Sequence, residues 1–197
     1  MNRILASLLV SMAFTLSACN SSGAPAGPPP LEGARMGGTF TLTSEDGKPV
    51  SDTDFAGQYR LIYFGYTFCP DVCPVDMARL MQGFAAFERA DKAKAARIQP
   101  IFISVDPKRD TPDSVKQFTA AFHPRLLGLT GTETDVEAVA SRYGVYFERD
   151  KPGSDGGYLV NHSNNAVLYG PKGEPLAIIP HDGDPPSIVK ELEKWVR

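Results

Sequence analysis

The chain has 197 residues, 42% of them hydrophobic and 22% charged, the balance of an ordinary soluble globular domain with a short appendage. A formal net charge of -3 removes the electrostatic case for a nucleic-acid partner. Three cysteines are too few for a disulfide-built scaffold.

In chain order, the first eighteen residues stand apart. Arg3 supplies a short positive region, and Ile4 to Leu16 form an apolar run too short to span a bilayer. The run closes as Leu16-Ser17-Ala18-Cys19, which resembles the lipobox of bacterial lipoproteins. That resemblance implies cleavage of residues 1–18, acylation of Cys19, and a lipid anchor on the extracytoplasmic (periplasmic) face of a bacterial membrane. Residues 19–36, rich in Ser, Gly and Pro, read as a flexible tether, and 37–197 as the folded domain. With Cys19 committed to lipid, Cys69 and Cys73 are the remaining thiols.

The domain opens with a predicted hairpin, Gly37 to Val50, turning at Asp46-Gly47. Arg60 to Tyr66 is a continuous apolar run, the pattern of a strand buried on both faces. Beyond the cysteines, Met77, Leu80, Met81, Phe84 and Phe87 recur at helical spacing. Ile98 to Asp106 is a second buried strand, and Thr111 with Pro112 marks the start of a second helix. A short strand from Leu126 to Thr130 and a third helix from about Thr132 follow. A charged, glycine-rich loop (148–157) then leads to two strands, Tyr158–Gly170 and Glu174–Pro180, joined at Pro171-Lys172-Gly173. An amphipathic helix opening at Pro185 or Pro186 ends the chain. Buried strands alternating with helices, closed by a hairpin and a helix, predict an α/β thioredoxin-like fold. A central mixed sheet is flanked by helices, with an N-terminal β-hairpin.

In such a fold the loop after the first central strand carries the reactive site. Cys69 falls at that strand's end and Cys73 in the first turn of the next helix, so the two sulfurs can converge. A helix N-terminus lowers thiol pKa, and the flanking Pro70 and Pro74 point to an exposed turn. The pair can close as a disulfide, attack another disulfide, or bind a soft metal. A metal needs a third ligand, and there are three histidines to choose from. His123 sits where it would cap a helix end, His181 in a loop as a solvated residue, and His162 after the glycine-rich loop on an apolar hairpin.

Together, Phe68-Cys69-Pro70-Asp71-Val72-Cys73-Pro74, the stretch Ser104 to Pro112, Gly128-Leu129-Thr130-Gly131, and Tyr158 to Ser163 ahead of Leu168 to Gly173 resemble the Sco/SenC family. The likeness runs from about Gly38 to Trp195. It implies a copper metallochaperone that holds Cu(I) or Cu(II) through Cys69, Cys73 and His162. Such a protein assists assembly of the CuA centre of cytochrome c oxidase. Implied partners are the CuA-bearing subunit II and a thioredoxin-like reductant for Cys69 and Cys73; the protein is expected as a monomer without turnover of its own. The alternative is an enzyme, a thiol–disulfide oxidoreductase using Cys69 and Cys73 as a redox-active pair to keep CuA or other envelope cysteines reduced. A peroxidase reading of Tyr66 to Pro70 fails on the second cysteine four residues on. Asp106, Arg109 and Asp110 border the site as turn and capping residues rather than ligands. The family commonly carries aspartate immediately before the ligand histidine, and here that residue is Asn161, an amide that can orient the imidazole but supplies no charge.

Overall fold

The computed structural model describes residues 27–154 and 156–197. The cleavage site and the lipid site at Cys19 lie outside the described residues. Seven strands form the main sheet: β1 (Thr41–Ser44), β2 (Pro49–Ser51), β3 (Tyr59–Gly65), β4 (Ile98–Ser104), β5 (Leu127–Thr130), and two later strands, β8 (Ala166–Tyr169) and β9 (Pro175–Ile179). Their spatial order is β2-β1-β5-β4-β3-β8-β9. β3 runs parallel to β4, and β4 to β5, while β8 pairs antiparallel with β3. β3 is buried along its whole length, as its unbroken apolar run predicts.

Alternate residues of the central strands face opposite layers. Tyr59, Leu61 and Tyr63 join Ile98 and Phe102 under two helices, α1 (Val72–Ala90) and the C-terminal α5 (Pro185–Trp195). Ile62, Phe64, Ile101 and Ile103 face the other way. There they meet Val136, Val139 and Ala140 of α4 (Glu133–Arg142). The helical spacing of α1 is realised: Met77, Leu80, Met81, Phe84 and Phe87 are all buried. The remaining helices are a single turn, α2 (Lys92–Ala95), and α3 (Pro112–Ala120). Thr111, Thr132 and Asp184 cap α3, α4 and α5, each side chain accepting a backbone N–H of the first turn.

Three expectations change. The predicted strand Tyr158–Gly170 is broken at Ser163-Asn164-Asn165, polar turn formers that end it. Its first part, β7 (Val160–His162), leaves the main sheet and pairs with β6 (Phe147–Arg149), which the sequence places at the edge of a loop. Three residues are too few to display a strand period. The last part of the expected tether is also part of the fold. The Leu31 N–H donates to the Leu176 carbonyl at 3.1 Å, and Leu31 and Met36 pack on the core. Finally, His181 is buried rather than solvated.

α5 approaches α1 closely because Gly83 has no side chain: a Cβ there would lie 2.6 Å from Ile188. Gly83→Ala is therefore expected to gain helix propensity yet lose about 1–3 kcal/mol through overpacking. A melting temperature equal to or above that of the parent chain would refute this account of the α1–α5 contact.

Candidate metal centre

The site forms where β3 ends. The chain leaves the sheet after Gly65, turns through Thr67 to Asp71 and enters α1 at Val72. Asp110 fixes the turn: its carboxylate accepts the Thr67 N–H at 2.9 Å, the Thr67 hydroxyl at 2.7 Å and the Ser104 hydroxyl at 2.6 Å. Burial nevertheless leaves the Asp110 carboxyl above its ordinary pKa, against the lowering by those donors. The capping-type residue foreseen near the site is thus its anchor.

Cys69 takes the role of a helix cap. The N-cap Asp71 makes no side-chain capping bond, whereas the Cys73 N–H points at Cys69 Sγ at 3.4 Å. Burial pushes the Cys69 thiol up. The Cys73 and Asp71 N–H groups, with Cys73 and the Tyr66 hydroxyl, outweigh it and hold the pKa below the usual thiol value. Cys73 behaves oppositely. It is fully buried, and desolvation drives its thiol well above the ordinary range against the Tyr66 N–H and the Tyr63 hydroxyl, with Cys69 adding to the rise. The expected turn is exposed at Pro70, Asp71 and Val72, but both cysteines are buried and one of the two thiols is activated. The helix N-terminus activates only the outer sulfur.

His162 arrives on β7, 89 residues along the chain from Cys73, with Nε2 3.3 Å from Cys73 Sγ. Its Nδ1 lies 2.9 Å from the Ser163 carbonyl, which can only accept. Nδ1 therefore carries the proton, and Nε2 presents a lone pair to the sulfur. Burial holds the imidazole below its usual pKa, which keeps it neutral. The rings of Tyr63 and Tyr66 stand edge-on to the imidazole, at centroid distances of 6.4 and 5.8 Å. Asn161 is not its neighbour. Adjacent strand residues point to opposite faces, and the Asn161 amide donates outward to Asp150 Oδ1 at 2.9 Å.

The hairpin that carries His162 is fastened at Asp106, which is fully buried. Arg109 Nε bonds it at 2.5 Å, the Tyr158 hydroxyl donates to it at 2.8 Å, and Arg149 Nε of β6 stands 3.4 Å away, an ion-pair distance without hydrogen-bond geometry. Arg109 also donates to the Tyr158 carbonyl at 2.9 Å and lies over the rings of Tyr158, Tyr66 and Phe68. It thereby joins the cysteine turn to the histidine hairpin. His123 and His181 are elsewhere: His123 packs on Phe84 beside Glu88, and His181 lies 3.5 Å from Asp76 Oδ2, below the site.

Thiol sulfur and neutral imidazole nitrogen are the donor types that a soft or borderline metal ion takes. A separation of 3.3 Å lets one S and one N reach a shared ion at bond lengths of about 2.3 and 2.0 Å. Among the described residues no group of three or more Cys, His, Asp or Glu side chains is placed to hold a metal ion, so a bound ion would require the three side chains to draw together. Cys73 meets each partner pairwise, and neither cysteine is in a disulfide. Metal-free reduced protein should show the split between them. Iodoacetamide is expected to modify Cys69 with a pH midpoint below the ordinary thiol value while Cys73 stays unmodified; equal labelling of both, read by mass spectrometry, would count against it.

The SCO1/SenC family model matches residues 28–197. The mitochondrial SCO2 protein of Saccharomyces cerevisiae is 39% identical over 165 residues, covering 82% of this chain; the chain spans about half of that relative's length, 53%. Among solved structures, ScoI of Arabidopsis thaliana with copper bound superposes with a TM-score of 0.74 at 34% identity, covering 81% of this chain and 96% of that one. ScoI of Bradyrhizobium japonicum with copper bound gives 0.73 at 34% identity, covering 81% and 99%. The thioredoxin domain of a thiol-disulfide oxidoreductase from Bacteroides vulgatus matches at 0.54 and 20% identity over 81% of this chain and 94% of that one, a likeness of fold. With a family model matched over nearly all its length, the chain belongs to the SCO1/SenC family.

Proposed function

We propose that this protein is a copper metallochaperone that binds Cu(I) or Cu(II) through Cys69, Cys73 and His162. The observation that carries the reading is the approach of His162 Nε2, lone pair inward, to within 3.3 Å of Cys73 Sγ beside a second reduced cysteine. Two thiolates suit Cu(I), and the imidazole supplies the further donor that Cu(II) requires. The copper-bound ScoI relatives support the choice of metal. The metal is cargo, and the site suits cargo. Cys69 keeps 9% of its surface exposed against none for Cys73, and Phe68 and Val72 stand exposed beside it, an apolar rim for a protein acceptor.

The acceptor we infer is the CuA-bearing subunit II of cytochrome c oxidase, and the donor of electrons a thioredoxin-like reductant, because loading requires both sulfurs reduced. We infer further that residues 1–18 are a signal peptide and that Cys19 is acylated, which holds a monomer at the extracytoplasmic membrane face. No helix among the described residues is long and apolar enough to cross a membrane.

A second reading is favoured by the thiol asymmetry. A lowered outer thiol next to a raised, buried one is also the arrangement of a disulfide-exchanging pair, with Cys69 attacking and Cys73 resolving. His162→Ala separates the two. It is expected to weaken Cu(II) binding at least about 100-fold while leaving reduction of a test disulfide unchanged. Native copper affinity in that variant, measured by competition titration and the thiolate-to-copper absorption band, would defeat the copper reading. Arg109→Gln probes the hairpin fastening: Cu(II) affinity should fall about tenfold, as for loss of an orienting group, and Cu(I) affinity less. An equal loss for both ions would contradict a role in holding His162.

A further inference from the structure

Below the three donors runs a buried polar chain that ligand binding does not require. Tyr63 is fully buried, and Asp76 and His181 are each 6% exposed. The Tyr63 hydroxyl donates to Asp76 Oδ2 at 2.9 Å, and His181 Nε2 stands 3.5 Å from the same oxygen. His181 Nδ1 faces the Ile179 carbonyl at 3.4 Å. The Tyr63 ring lies between the two imidazoles, edge-on to His162 at 6.4 Å and to His181 at 5.8 Å.

Tyr63 also borders Cys73. A methyl group on Gly65 would fall 2.9 Å from the Tyr63 ring and 3.2 Å from Cys73 Sγ, so ring and sulfur flank one point. Purely structural satisfaction of Asp76 explains the first bond but not the siting of the whole chain against a ligand sulfur. A phenol has one hydrogen to give. The Asp76 carboxylate accepts that hydrogen, and the Cys73 sulfur borders the ring of the same tyrosine. A hydrogen bond to a ligand sulfur withdraws electron density from a bound metal and favours its lower oxidation state.

We propose that Tyr63 is a positioning residue for the Cys73 donor, that Asp76 competes with the sulfur for its phenolic hydrogen, and that His181, packed within 3.5 Å of the same carboxylate oxygen, moderates the competition. Its consequence for copper rests on the function proposed above; the Tyr63–Asp76 hydrogen bond does not. His181 is thereby a remote determinant of how the site discriminates Cu(I) from Cu(II).

The test has a metal-free arm and a copper arm. In reduced metal-free protein the Tyr63 phenolic proton is followed by NMR. Asp76→Ala should move it upfield, whereas Cys73→Ala and His181→Leu, which strengthen the hold of Asp76, should move it downfield. Asp76→Asn should move it upfield by less, and serves if Asp76→Ala does not fold. With Cu(II) bound, Tyr63→Phe should shift the thiolate-to-copper band to lower energy and raise the Cu(II)-to-Cu(I) affinity ratio several-fold. Asp76→Ala should do the reverse, and His181→Leu should follow Tyr63→Phe. Shifts of one sign for Tyr63→Phe and Asp76→Ala, as simple loosening would produce, overturn the proposal, as does a phenolic proton insensitive to Cys73→Ala. If the parent chain takes up no copper, the function above fails and the metal-free arm alone decides this inference.

Discussion

Asp106 sits at the end of β4 with no exposure to solvent, and a buried carboxylate must be paired to be tolerated. Its partners come from three places: Arg109 from the following turn, Arg149 from β6, and Tyr158 from the segment leading into β7. That requirement docks the β6–β7 hairpin onto the body of the protein. Two paired strands of three residues are marginal on their own, and this hairpin belongs to no larger sheet. Removing one partner of a buried pair costs on the order of 3–5 kcal/mol, a large part of the stability of a domain this size. The geometry of His162 therefore depends on a charge pairing outside the donor set.

The cysteine side of the site rests on a different constraint, the space beside β3. Gly65 leaves room for Cys73 Sγ between the Tyr63 and Phe102 rings, where a larger residue would collide with all three. Packing thus forces the inner sulfur into a dry environment, and the helix N-terminus stabilises charge on the outer one. Two chemically identical side chains four residues apart acquire opposite reactivities because one caps a helix and the other sits beneath it. The outer sulfur is thereby the readier nucleophile and the inner one is shielded from solvent.

Much of this was legible in the residues. The apolar runs of β3 and β4 announced strands buried on both faces, and the spacing from Met77 to Phe87 announced α1. Threonine and proline before α3, with the cysteine pair at a strand–helix junction, located the site. What escaped detection has common physical causes. β6 and β7 are too short to show a period, so the segment carrying His162 read as one long strand with β8. His181 looked like a loop residue because its burial comes from α1 and β3, far away in sequence. Tyr63 and Tyr66 read as apolar strand residues, although a buried tyrosine must find a partner for its hydroxyl, which was the available signal. Asn161 drew attention by its place next to His162, and strand alternation turned it away from the imidazole.

By itself, the sequence determined the strand–helix order, the placing of two thiols at a helix start and the short set of histidines able to join them. These follow from local periodicity and from chemistry carried by residue type. Only the tertiary structure decided that His162 comes within 3.3 Å of Cys73, which thiol is activated, and that Asp106, Asp110 and Arg109 hold the surrounding segments in place. Those outcomes depend on desolvation and on contacts between segments tens of residues apart. Neither quantity exists until the chain has folded around them.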